Sequence, residues 1–235
     1  MSASEFDRTP APIGPRLVGI MAAIVLIQAI GWASGLRGGA LARAIESGAA
    51  RVERRAVGEV SESDVREAIA AHRDSLLFWA ALAAVGDFAV EPVAPVARVV
   101  LAASGFAAIA ALRGRPIRFN ELLAGAASAQ WLWVIGMATR VGLASATGRS
   151  DIDTSAALLM PPGSYPAASW VALRQVDPFA ILGWMAVGRS GWRLGLVGPI
   201  SASGICLLLW AAEASLRIGA ELLCGAAMRA SLVPG

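Results

Sequence analysis

Leu17 to Leu36 is a twenty-residue run without a single charged side chain. A helix needs about twenty apolar residues to cross the roughly 30 Å hydrocarbon core of a bilayer. At least three more long apolar stretches follow, and the 235-residue chain is 57% hydrophobic with only 16% charged residues, where a soluble domain carries about 25%. Lipid offers no hydrogen-bond partners, so a spanning backbone must be a helix or part of a closed barrel. Runs of this length select helices. The expected fold is all-α: a polytopic membrane helix bundle of about five transmembrane helices, with an amphipathic helical segment outside the membrane. The first run exceeds the seven to fifteen residues of a signal-peptide core, so it reads as an uncleaved signal anchor.

Residues 1–16 form a polar tail bearing Pro10, Pro12 and Pro15, followed by the first span at 17–36. Residues 37–75 hold seven arginines and seven acids. Leu41, Ile45, Ala49, Val52 and Ala56 recur at helical spacing there, and Ser61 with Asp64 resembles a capping box opening a second helix toward His72. This segment is expected to lie on the bilayer surface or to fold over the spans as a hairpin. Residues 76–232 then carry about four further spans. The 37 residues from Leu76 to Leu112, interrupted by Asp87, Glu91, Pro92, Pro95 and Arg98, are read as one crossing, a long helix kinked at the prolines. Leu122–Ala146 is the third span, Gly148–Gln175 a polar loop, Pro178–Gly188 a short fourth span and Leu194–Ala212 the last, continued by an amphipathic helix.

The orientation follows from Arg113, Arg115 and Arg118, three arginines in a six-residue loop, which the positive-inside rule places in the cytoplasm. With a cytoplasmic N-terminus and five crossings, the C-terminus lies outside, and the expected location is a bacterial inner membrane. All 20 basic residues are arginine, which reads as codon bias in a GC-rich genome. The net charge of +3 is spread over the loops, so no basic stripe points to nucleic acid.

Catalytic chemistry finds little to stand on. His72 is the only histidine, and Cys206 and Cys224 would lie about 27 Å apart on one helix, too far for a disulfide. No nucleophile elbow, zinc motif, phosphate loop or paired-cysteine motif occurs, so no catalytic, metal or cofactor residue is assigned. Ionisable side chains at membrane depth are candidate functional groups; here these are Asp87, Glu91, Arg98 and Arg140. Glu213, Arg217 and Glu221, each four apart, share a helix face that reads as solvated or as a partner-docking surface. Asp177-Pro178 has the form of a helix start. The Gly191–Gly195 spacing and the Ala126, Ala127, Ser128, Ala129 run would let helices approach closely.

Two stretches carry a family resemblance. Arg113–Leu123 resembles the loop and re-entry into the third span of the Yip family. Val176-Asp-Pro-Phe-Ala-Ile-Leu-Gly-Trp184 resembles that family's pattern opening its fourth span, on Asp177, Phe179 and Ile181, with Trp184 two residues beyond the family's tryptophan position. The resemblance implies five helical spans, an outside C-terminus and no catalytic residues. Three readings of function follow. The chain is a non-enzymatic scaffold or organiser, as a homo-oligomer or with other membrane proteins; or a dedicated accessory subunit of a larger membrane complex; or a small-solute or ion transporter built on Asp87, Glu91, Arg98 and Arg140. In all three the lipid bilayer is its first partner.

Overall fold

The computed structural model describes residues 12–43, 63, 66–67, 70, 74–148, 152–160 and 167–230. Every regular element among them is helical: α1 (Ile13–Ala33), α2 (Leu76–Val85), a π-helical turn (Gly86–Val90), α3 (Glu91–Leu112), α4 (Phe119–Ala129), α5 (Trp131–Thr147), a 3-10 turn (Ala156–Leu159), α6 (Ala167–Arg174), α7 (Pro178–Arg193) and α8 (Pro199–Ala230). Four runs are long and apolar enough to cross a membrane: Ile13–Ala33, Leu76–Leu112, Phe119–Thr147 and Pro199–Cys224. The chain is an all-α membrane helix bundle. The expected fourth span, Pro178–Gly188, corresponds to α7, whose 16 residues give a rod of about 24 Å, shorter than the hydrocarbon core.

Several boundaries differ from those expected, each for a local reason. The first helix stops at Ala33 because Gly35 turns the chain with φ +73°, a left-handed conformation that favours glycine; a further helix runs over 36–43. Leu76–Leu112 is one continuous helical run, but its irregularity falls at Gly86–Val90, just ahead of the prolines. Pro92 and Pro95 lack the N–H that would reach back one turn, and the wider π turn accommodates the freed carbonyls. The 148–175 stretch is not merely loop, for it contains the 3-10 turn and α6. The last helix begins at Pro199, not Leu194, since Gly195 (φ +68°) closes the end of α7. Gly195 therefore lies outside the helix, and the Gly191–Gly195 pair forms no packing face. The residues of the 37–75 segment beyond 43, including the Ser61–Asp64 capping box and His72, lie largely outside the described residues.

The chain divides into two compact units. The first comprises residues 1–24, 91–137 and 178–213. Its core is built on Val99, Ala102, Ala103, Phe106 and Ala110, which recur at three- and four-residue steps along α3 and face Leu122, Ala126 and Ala127 of α4 and Val187 of α7. Small residues set how closely these helices approach. A Cβ at Gly191 would sit 3.0 Å from the Phe106 ring, and one at Gly125 2.7 Å from Ser190. The expected small surface is thus used inside the chain: Ala126, Ala127 and Ala129 are buried, and only Ser128 is exposed, accepting a 3.2 Å hydrogen bond from Arg16.

The second unit comprises residues 25–90, 138–177 and 214–235. There the 3-10 turn is held against the end of α6, with the Ala156 N–H donating to the Val176 carbonyl at 2.9 Å.

Candidate functional site

The most buried charge in the first unit belongs to Arg98. It stands on the core face of α3, one step from Val99 and Ala102, so the helix that builds the core also carries a guanidinium into it. Its side chain is 8% exposed and that of Glu213, on α8, is 25% exposed. The Arg98 Nε donates to both Glu213 carboxylate oxygens at 3.1 and 2.9 Å, and Nη2 donates to Oε1 at 2.6 Å. Nη1 donates to Oε1 of fully buried Gln130 at 3.4 Å. The cation lies 4.8 Å over the Trp133 ring of α5, and Trp133 meets Trp184 of α7 edge to face, centroids 5.7 Å apart. All three nitrogens of Arg98 thus have acceptors, its charge is neutralised and its cation lies over an aromatic ring. The cluster works as an electrostatic clamp on α3, α5, α7 and α8, with a donor on each guanidinium nitrogen engaged by a neighbouring side chain.

Asp87 forms a separate centre in the second unit. The π turn carries its carboxylate to a side chain only 6% exposed. Arg37 donates to it twice, through Nε to Oδ2 at 2.8 Å and through a close Nη2–Oδ1 contact, and the Trp32 indole donates to Oδ2 at 3.0 Å. A π turn re-aims the side chains beside it, and here the result is a buried carboxylate with three donors. Asp87 and Arg98 therefore each have their own partners. Glu91 belongs to the first unit and half-buried Arg140 to the second, so the four candidate membrane charges do not form one cluster within either unit.

The expected solvated face on the last helix is occupied by the chain itself. Glu213 takes Arg98, and Glu221 accepts from Arg174 Nη1 at 3.2 Å; Glu213, Arg217 and Glu221 are all half-buried. The reason is long-range pairing, invisible to a four-residue spacing. Arg174 also donates to Asp153 at 3.0 Å and lies 4.9 Å over the Trp170 ring. Burial alone would raise the Asp153 carboxyl, but the Ser155 N–H and the Arg174 charge and hydrogen bond outweigh it and hold it below the ordinary carboxylate value.

In the Val176–Trp184 stretch, Pro178 opens α7 at its first position, as expected of a helix start. Asp177, just before it, is buried and accepts from Thr154 Oγ1 at 2.7 Å. Phe179 packs where a Cβ on Gly136 would come within 2.7 Å of it; Ile181 points outward; Trp184 is buried, and its indole N–H has no partner among the described residues. Spacing arguments missed Gln130, Trp133, Arg37 and Arg174. Gln130 had a signal: an uncharged polar side chain inside a span faces the bundle, since lipid cannot satisfy it. Among the described residues no group of three or more His, Cys, Asp and Glu side chains is placed to hold a metal ion. Comparison with family models, with curated proteins and with solved structures finds no match for the chain.

Proposed function

We propose that this protein is a non-enzymatic organiser or accessory subunit of a bacterial cytoplasmic membrane, acting through helix–helix contacts, with its N-terminus inside and its C-terminus outside. The sequence resemblance carried by Asp177, Phe179, Ile181 and Trp184 supports that reading. The observation that carries it is the outward face of α8. Gly204, Leu207, Leu208 and Ala211 recur at three- and four-residue steps and are all exposed, and the space beside Gly204 is open to at least 4 Å. A face that meets only lipid tails gains from large side chains; alternating small and large residues instead let a second helix approach and interlock. The same small-residue logic closes α3 on α7 inside the chain. A transport reading is less well supported, because Asp87 and Arg98 are each enclosed by separate partners.

Cross-linking tests the proposal. Ala211→Cys, in a background with Cys206→Ala and Cys224→Ala, is oxidised in native membranes. A homodimer or one stoichiometric heteromeric adduct is expected, and Gly204→Leu should abolish it. A monomer at every protein-to-lipid ratio would contradict the organiser reading.

A further inference from the structure

Three candidate spans end at one place in the first unit: Leu76–Leu112, Phe119–Thr147 and Pro199–Cys224 stop or start around residues 113–118 and 194–198. Two arginines tie these loops together. Arg113 Nη2 donates to Ser201 Oγ at 3.0 Å, and Arg115 Nη1 makes a close hydrogen bond to the Gly195 carbonyl. Gly114 (φ +64°) and Gly195 (φ +68°) make the two turns, so both loops are short and held close to the helix ends. The joined surface is strongly positive. Arg113, Arg115, Arg118, Arg189 and Arg193 are all exposed, against one acid in these loops and flanking turns, Glu121, which lies 3.6 Å from Arg118. Arg189 and Arg193 make no ion pair or hydrogen bond with any described residue. Apolar side chains surround the arginines: Leu112 and Ile200 are each 87% exposed, and Trp192 53%.

Helix ends fix the depth of this surface. Where three spans terminate, the hydrocarbon gives way to phosphate and glycerol, and tryptophan and arginine settle at that level. We infer that this arginine platform binds the headgroups of anionic phospholipids: Arg189 and Arg193 take the phosphates, Arg113 and Arg115 hold the two loops in register beneath them, and Leu112, Trp192 and Ile200 lie along the acyl chains. Charge complementarity selects the occupant. A zwitterionic headgroup brings its own cation into the arginine cluster, whereas a phosphatidylglycerol headgroup brings only negative charge. Guanidinium groups suit phosphate because their donors are paired and planar. Each arginine near an anionic surface strengthens binding roughly fivefold, so the two unpaired arginines together contribute roughly twenty-five-fold.

The test uses the full-length protein in detergent, offered equal amounts of phosphatidylglycerol and phosphatidylcholine, with bound lipid counted by native mass spectrometry. Wild type is expected to retain phosphatidylglycerol in at least tenfold excess. Arg189→Gln/Arg193→Gln, which disturbs no hydrogen bond among the described residues, should bring the ratio near parity while circular dichroism stays unchanged. Arg113→Gln/Arg115→Gln is expected to weaken retention as well. Wild type without preference, or the Arg189→Gln/Arg193→Gln variant keeping it, overturns the inference. So does inorganic phosphate that binds without lipid and displaces phosphatidylglycerol completely, since the site would then belong to a free anion.

Discussion

Removing Arg98 alone should cost far more than removing Arg98 together with Glu213. Arg98→Met keeps much of the side-chain volume but strips Glu213 of all three hydrogen bonds from the guanidinium and leaves Gln130 Oε1 without its donor. Breaking one partner of a buried pair costs about 3–5 kcal/mol, because an uncompensated charge stays behind. Glu213 is 25% exposed, so it can partly rehydrate, which sets the expectation near the lower end, about 3 kcal/mol. That is roughly a 150-fold drop in the folding equilibrium constant. Glu213→Leu alone should cost about as much, by stranding a guanidinium that is only 8% exposed. The double variant replaces both charges with apolar groups and should lie within about 1 kcal/mol of wild type. Reversible unfolding in mixed lipid–detergent micelles, followed by circular dichroism, measures all four corners of this cycle. Additive losses in the double variant would refute the clamp, because they would mean the two side chains act independently.

Other consequences are smaller but sharp. Gly183→Ala places a Cβ 2.3 Å from the Trp133 ring, which is already fixed between Arg98 and Trp184; thermal denaturation should show a loss of about 1–3 kcal/mol, and a neutral result would mean the ring is free to move. Trp184→Phe removes an indole N–H that has no partner among the described residues, so its stability should stay within about 1 kcal/mol of wild type, whereas Trp184→Ala should lose about 3–5 kcal/mol; a large loss for the phenylalanine variant would reveal a partner for the N–H. Asp153 has its carboxyl held below the ordinary value of 3.8, so its contribution is present at neutral pH, persists down to that value and disappears as pH falls through the lowered one. Hydrogen exchange over residues 152–160 should therefore accelerate in strong acid relative to pH 7, and Asp153→Asn should abolish that acid step; an unchanged step would assign it to another group.

The membrane class and the main spans were readable because they rest on local chemistry, apolar run length and the proline that opens α7. What the sequence hid was pairing at long range. Arg98 and Glu213 are 115 residues apart, and Arg37 and Asp87 are 50 apart, so no helical spacing links them. Glu213 was read with Arg217 and Glu221 as one face, solvated or partner-docking, when it is bonded by Arg98 on another helix. The ends of helices also slipped wherever a glycine took a left-handed turn, as at Gly35 and Gly195, since the same residue is ordinary inside a helix rich in glycine and alanine. The helix at Ala167–Arg174 escaped notice because Pro161, Pro162 and Pro166 precede it and it is only eight residues long.

The account depends on hydrocarbon surrounding the outward faces of the four long helices. Nitroxide labels at Leu26, Leu101, Ile135 and Leu208, all exposed on those helices, read this directly in reconstituted vesicles. Collisions with oxygen should dominate at all four positions, with little access for a water-soluble nickel complex. Nickel access at these sites equal to that of a loop label at Arg115 would contradict the account.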